Sequence, residues 1–381
     1  MLDERKVLHA VLRSDFKSFC LKVFQEVSPG TKYLDNWHID VICDRIERLR
    51  RGGPNRLIIN LPPRYMKSII CSVALPAFLL GHKPQERILC VSYADELALK
   101  LALDCRKVME SGWYRAVFPH TRLLNAKRGV ADFLTTSGGG RFSTSVGGAL
   151  TGRGGNWLIL DDPLKPSDAM SDVLREKTNE WYGSTLYSRL DDKTNGKILV
   201  IMQRVHPRDL TGFLLETDSR FSSLVLPIIA KEREQWYVKN PLGEEIVFER
   251  NAGDPLHPAR EDLEQIKRTK ESVGSWIFAT QYQQSPQEPD GGVIKKDWLK
   301  FFNMADLMES ARTGQRKFCL AQSWDTASKI GEDNDYSVCI TYLWDCEKRI
   351  YVLNVYRERL EFPALVRKAK EMAIQSRQTY A

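Results

Sequence analysis

The chain has 381 residues, 43% of them hydrophobic, and a formal net charge of +7. Such a chain can bury more than one core, and its length suggests about two or three domains. No run of about 18 uncharged apolar residues occurs, and the N-terminus, MLDERKVLHAVLRSDFK, is charged where a signal peptide would be apolar; both point to a soluble, intracellular protein. Eight cysteines stand without a CxxC pair, which argues against a zinc ribbon or a disulfide framework and for reduced, mostly buried thiols. The positive excess favours a polyanionic partner such as nucleic acid, unless it is only solubilising.

Short apolar runs rich in β-branched residues, at 57–61, 88–92, 157–161, 198–202 and 224–227, predict buried parallel strands. Amphipathic stretches at 94–111 and 171–190 predict helices between them, so a mostly parallel sheet with helices on both faces follows. The glycine-rich piece TTSGGGRFSTSVGGALTGRGG interrupts this rhythm with an expected hairpin, 133–136 against 141–146, and then a loop. From about 207 to 316 the text is polar and punctuated by Pro and Gly, which suits a lid and connector. Three further strands are expected at 318–325, 337–344 and 350–356, then a helix from Pro363 to about Arg377.

The stretch LIINLPPRYMKSIICSVALPAFLLG, 57–81, reads as strand, tight prolyl turn, Lys67-Ser68 and apolar helix, the order a phosphate cradle requires. In a standard Walker A loop the residues at Leu61 and Met66 would be glycine, which permits unusual backbone angles and close approach of amides to phosphate. Here Pro62 and Pro63 preset the turn. Lys67 and the first-turn amides would meet a β,γ-phosphate, and Ser68 would place its hydroxyl on Mg2+. The alternative is an ordinary strand-to-helix turn with an exposed Lys-Ser. NWLILDDP puts Asp161 and Asp162 at the carboxyl end of a predicted strand, facing the same crevice. Asp161 would hold Mg2+ and Asp162 would polarise the attacking water; the alternative is a solvated Asp-Asp turn closed by Pro163. GKILVIMQRVHPRDLTG adds a strand ending in Gln203 and Arg204, which would either sense a γ-phosphate or only cap the strand.

Taken in order, HIDVICDRIERLRRGGPNRLIINLPPRYMKS, GALTGRGGNWLILDDPLKPSDA, SRLDDKTNGKILVIMQRVHPRDLTG, ATQYQQSPQEPDGGVIKKDW and SWDTASKIGEDNDYSV resemble the large terminase subunit of tailed bacteriophages and prophages, over roughly residues 30–357. The resemblance implies an α/β, RecA-like (additional-strand) P-loop ATPase joined through a lid to a ribonuclease H-like nuclease that cuts concatemeric viral DNA. It divides the chain into an N-terminal helical segment and ATPase core at 1–207, a lid and linker at 208–315 and an incomplete nuclease domain at 316–381. It implies ATP-driven translocation of double-stranded DNA into a procapsid, with ATP and Mg2+ as cofactors and Mg2+ or Mn2+ for the nuclease. The implied partners are double-stranded DNA, the portal protein, the small terminase subunit and further copies of this chain in a pentamer ring. The implied setting is the host cytoplasm, docked transiently on the procapsid, with no membrane.

By the same resemblance Lys67 and Ser68 match the phosphate-loop lysine and the magnesium-ligating hydroxyl. Arg64 matches an arginine that contacts the γ-phosphate or couples its loss to movement. Asp161 matches the Walker B acid, and Asp162 stands for the catalytic carboxylate, often a longer Glu. Met66 departs from the Gly of relatives and puts loop geometry, and hence turnover, in question. Arg153, in TGRGG, resembles a finger inserted by a neighbouring subunit, the alternative being a surface Arg in a flexible loop. Tyr33, Trp37 and His38 match an adenine-recognising element, although a Trp at helical spacing is more often core. Asp325 matches the first metal ligand of a two-metal nuclease, with Asp335 as outer support and Asp333 as a solvated turn residue. The next acid that fold needs would follow Ala381, so the chain is expected to be a fragment with weak or absent cleavage. Two rivals remain: a helicase-like, nucleic-acid-stimulated ATPase, and a non-catalytic DNA-binding module with a decayed phosphate loop.

Overall fold

The computed structural model describes residues 3–124, 132–150, 152–287, 298–326 and 336–380. The chain divides into two compact units, residues 1–288 and 289–381. The first contains a seven-stranded sheet of β1 (Arg56–Asn60), β2 (Arg87–Ser92), β3 (Phe133–Leu134), β4 (Gly140–Ser145), β5 (Trp157–Asp161), β6 (Lys197–Met202) and β7 (Ser222–Val225). Their order is β3-β4-β2-β5-β6-β1-β7, and every neighbouring pair is parallel except β3–β4. β6 is thus inserted between β1, which leads into the turn carrying Lys67 and Ser68, and β5, which ends in the paired acids. This is the additional-strand, RecA-like α/β arrangement.

The period-2 alternation of strands explains how so apolar a sheet is covered on both sides. Leu57, Ile59, Ile88, Ile159 and Leu199 enter one core with the helices Phe16–Val27, Trp37–Arg50, Leu75–His82 and Asp95–Glu110. Ile58, Leu89, Leu158, Leu160 and Val200 enter the other, with Tyr182, Leu186, Leu210 and Leu214. Six of the eight cysteines are buried and all are free. Among the described residues no helix is long and apolar enough to cross a membrane.

Two expectations change. The 133–146 hairpin pairs at only Phe133–Arg141 and Leu134–Gly140, and its second strand runs parallel to β2 as a full member of the sheet. The segment 208–315, expected as lid and linker, supplies β7 beside β1, as the apolar run at 224–227 predicted, and also an unexpected hairpin of β8 (Glu234–Lys239) and β9 (Glu245–Arg250). It also builds a small core from Ile228, Ile266 and Phe278. The hairpin is hidden in the sequence because most of its side chains are exposed or half-buried, so its strands carry little apolar alternation. Only Val238 and Arg250 of those strands are buried.

The second unit holds β10 (Phe318–Asp325), β11 (Ser337–Asp345) and β12 (Ile350–Glu358), antiparallel in that order, followed by the helix Phe362–Tyr380. Along β11 the buried Ser337, Cys339, Thr341, Leu343 and Asp345 alternate with the more exposed residues between them. Gln322 donates to Thr341 and Ser376, tying the helix to the buried face.

If β5 is central to the sheet, Ile159→Ala should lower stability by about 2–5 kcal/mol through the cavity it leaves. Leu242→Ala, at a residue 83% exposed, should change it by about 0.5 kcal/mol or less. Urea midpoints measure both, and equal effects would contradict the burial pattern.

Candidate nucleotide site

After β1 the chain turns through Leu61, Pro62 and Pro63 and enters a helix whose Ile69–Ala74 segment is π-helical before Leu75–His82 becomes regular α-helix. Arg64 and Met66 adopt positive φ, 70° and 65°, and so does Asp162 at the tip of β5, at 45°. Met66 therefore takes up the left-handed conformation that glycine supplies in a standard loop, at a backbone cost of roughly 1–2 kcal/mol. The departure from Gly at Met66 is absorbed without losing the bend. Buried Leu61, Tyr65 and Ile70 hold it, and the Tyr65 hydroxyl donates to Glu261 at 2.6 Å. Strained backbone of this kind, gathered on two facing strand tips, is a feature of functional sites.

Across the cleft the Lys67 ammonium donates to Asp162 at 2.7 Å. Ser68 donates to one oxygen of Asp161 at 3.0 Å, and Ser72, one helical turn on, donates to the other at 2.7 Å. The Gln203 backbone N–H donates to Asp162 at 3.1 Å, so the tip of β6 joins the same network. Asp161 is 1% exposed. Burial, and then the charge of Asp162, push its carboxyl up to about 6 against the pull of Lys67 and the two serines. The oxygen set of Ser68 and Asp161 suits a hard cation such as Mg2+, which takes few protein ligands and completes its shell with water and phosphate oxygens. Among the described residues there is no cluster of three or more acidic, His or Cys ligands that would form a dedicated cage.

Beside the loop lies a cleft of about 530 Å³ lined by Tyr33, His38, Arg64, Lys67, Ser68 and Arg260, among others. Arg64 is exposed at its edge. Burial and the neighbouring His257 hold the His38 imidazole down to about 3, so it is neutral. Its Nδ1 meets the Asn36 amide, and its Nε2 is buried without a partner among the described residues. A larger cleft of about 860 Å³, between the N-terminal helices and the β8–β9 hairpin, contains none of the strand-tip groups.

Several expected residues lie elsewhere. Trp37 is not in the lining: it stacks on Trp236 with ring centroids 6.4 Å apart, under the Arg250 guanidinium at 5.6 Å, and so packs the hairpin onto its helix. Arg204 is not free to sense a phosphate. Its Nε donates to both oxygens of Asp209 at 3.0 Å and a terminal nitrogen donates to the carbonyls of His206 and Pro207. Asp209 in turn caps the helix Leu210–Thr217, so Arg204 braces the strand end. Gln203 stays at the site, its Oε1 buried without a partner among the described residues. Arg153 pairs with Asp132 at 2.7 Å in a separate cleft beside Arg87, the first residue of β2. It precedes the amino end of β5, whereas Asp161 ends that strand, so it is outside its own chain's nucleotide cleft. Asp325 is exposed at the end of β10, in the second unit. Asp333 and Asp335 lie outside the described residues. Sequence reasoning missed Ser72, whose signal was its i+4 spacing from Ser68. It also missed Gln284, which accepts from the Arg204 amide at 2.9 Å, and the Tyr65–Glu261 bond, both set by residues far apart in the chain.

Two measurements follow. Met66→Gly should leave stability within about 1 kcal/mol, whereas Met66→Val should lower it by about 2 kcal/mol or more, since a β-branched residue resists positive φ; equal urea midpoints would contradict the left-handed bend. The folded pKa of Asp161 lies above its ordinary 3.8, so the folded state takes up this proton first. Its contribution therefore favours folding increasingly as pH falls from about 6 towards 3.8, and ionised Asp161 costs stability above 6. Asp161→Asn should raise the urea midpoint at pH 7.5 more than at pH 4.5, and the reverse order would overturn the assignment.

No family model matches the chain, and no curated protein matches it. Among solved structures, phage large terminases are similar to it. The HK97 bacteriophage large terminase is 12% identical, with a TM-score of 0.42, covering 94% of this chain and 72% of that one. A point mutant of a Thermus phage large terminase ATPase domain is 15% identical, with a TM-score of 0.41, covering 69% of this chain and 98% of that one. A large terminase from a thermophilic bacteriophage in complex with ADP is 7% identical, with a TM-score of 0.38, covering 85% and 71%.

Proposed function

We propose that the chain is an ATP-hydrolysing motor subunit of the large terminase kind, which drives double-stranded DNA into a viral procapsid. The observation that carries this reading is the facing pair of strand tips: Lys67 and Ser68 after β1 meet Asp162 and Asp161 at the end of β5, with β6 between. The ordered sequence motifs supply the packaging context.

In the free chain Lys67 is held by Asp162. An entering triphosphate competes for the ammonium and frees the Asp162 carboxylate to orient water at the γ-phosphorus. The first-turn amides and Arg64 meet the phosphate oxygens, and Tyr33 and His38 border the base. Ser68 and Asp161 would hold Mg2+, which would offset the negative charge of the bound triphosphate. Ser72 fixes the second oxygen of Asp161 and so its orientation. Arg153 of a neighbouring copy would supply positive charge at the transition state, in keeping with its place away from its own cleft. When the γ-phosphate leaves, Lys67 returns to Asp162. The tip of β6 shifts with it, and the Arg204–Gln284 bond transmits the displacement to residues 278–287.

Under this reading DNA is gripped by basic side chains through its phosphates, so binding weakens steeply with salt. The second unit is of the ribonuclease H-like nuclease kind, with Asp325 as a metal-holding acid. The portal, the small subunit and a ring of five copies complete the assembly. A helicase-like ATPase would need a second parallel sheet, whereas the described strands of residues 289–381 form an antiparallel one. A decayed loop is disfavoured by the retained bend at Met66.

Titration with a fluorescent ATP analogue and Mg2+ should give binding that Lys67→Ala weakens at least about tenfold. Asp162→Asn should keep binding while hydrolysis falls by about 10²-fold or more. Arg153→Ala and Asp162→Asn chains, each inactive alone, should recover hydrolysis when mixed, because one supplies the cleft and the other the finger. Equal binding by wild type and Lys67→Ala would remove the nucleotide site; failure of the mixture to recover would remove the finger alone.

A further inference from the structure

Arg141, in β4, is fully buried, and its Nε has no hydrogen-bond partner among the described residues. Its terminal nitrogens donate to the Ser143 hydroxyl and, at 3.2 Å, to the backbone carbonyl of Ser72. Among the described residues no carboxylate is bonded to it. The neighbouring Cys90 and Cys105 thiols are pushed up by burial against the pull of Arg141, so neither offers it a negative charge. The converse holds for Asp161, a buried acid bonded by the Ser68 and Ser72 hydroxyls and by no cation among the described residues. Ser72 stands between the two, with its carbonyl on Arg141 and its hydroxyl on Asp161.

The sequence explains why the Ser72 carbonyl takes a side-chain donor. In an α-helix it would accept from the N–H four residues on, but that residue is Pro76, which has no N–H and whose ring crowds the same carbonyl. The chain is π-helical at this point, over Ile69–Ala74, and Arg141 reaches from the sheet to supply the donor. A neutral side chain could do as much. A buried guanidinium without a carboxylate is costly, and buried charges are often replaced by apolar side chains with no loss of stability, so packing alone does not account for this one. We propose that Arg141 is a positioning residue for the cation site: through Ser72 it fixes the direction in which Asp161 faces Ser68, where Mg2+ would be held. This role rests on the nucleotide reading for the identity of the cation, and it requires no contact between Arg141 and the nucleotide or the metal.

The test uses the full chain and a fluorescent ATP analogue, whose binding is measured in EDTA and then over a Mg2+ series. Arg141→Met should keep the EDTA affinity within about twofold and raise the Mg2+ concentration of half-maximal effect about tenfold, as the loss of a residue behind a metal ligand does. Removing a positive charge without moving Asp161 would lower that concentration, so a fall or no change overturns the proposal. Arg141→Lys keeps the charge and a donor but not the fork, and should shift it by about threefold; no shift there overturns the proposal as well. Ser72→Ala should shift it about as far as Arg141→Met and the double variant no further, since both act through one carboxylate; shifts that multiply count against it. Urea unfolding confirms that each variant is folded. A crystal structure of nucleotide-free Arg141→Met, or of Arg141→Lys if the first does not fold, reads the positioning itself. The Ser72 hydroxyl should leave Asp161, and an unmoved Ser72–Asp161 bond overturns the proposal whatever binds. Failure of the nucleotide reading would show separately, as no analogue binding by the wild type with or without Mg2+, and the variant structure then decides the role of Arg141.

Discussion

The ion pair between Lys67 and Asp162 joins the two halves of the site, and the rest of the first unit is arranged around it. Both side chains are largely withdrawn from water, at 7% and 17% exposure. Ions withdrawn from water are costly unless paired and hydrogen-bonded, so the tips of β1 and β5 are tied together electrostatically as well as by β6. Under the proposed function this contact holds without ligand and is exchanged for a phosphate, which offers Lys67 an anion of higher charge. In that reading, breaking the pair releases the Asp162 carboxylate beside the γ-phosphate, so one residue would serve as resting clamp and as catalytic base.

The pair depends on backbone that few residues tolerate. Arg64, Met66 and Asp162 all sit at positive φ, and Ile69–Ala74 winds as a π-helix. Prolines at 62 and 63 and the buried side chains of Leu61, Tyr65 and Ile70 over-determine the bend. A loop fixed by packing, where glycine would be flexible, has less freedom to rearrange. Tyr65 extends the constraint to Glu261, and the Gln203–Arg204 strand end extends it to Gln284, so both edges of the cleft are anchored in residues that follow the β8–β9 hairpin.

The parallel strands were legible because burial on both faces leaves continuous apolar runs, and the paired acids were legible because they end such a run. Lys67 and Ser68 could be placed without their glycines because strand, turn and helix occur in the required order. The hairpin of β8 and β9 was not legible, since its strands are too exposed to carry an apolar pattern. Trp37 and Arg204 were misplaced for a related reason: a sequence shows which residue stands at a helix start or strand tip, not which partner holds its side chain. Asp209 captures Arg204 and Trp236 captures Trp37, and both partners come from a region that reads as connector.

A structure of the chain with Mg2+ and a non-hydrolysable ATP analogue is the most direct test of the resting clamp. The expected result is a triphosphate in the cleft beside Tyr33 and His38, with the Lys67 ammonium moved from Asp162 to the phosphates and Asp162 facing an ordered water. A nucleotide bound elsewhere, or one bound there while Lys67 stays on Asp162, would contradict it.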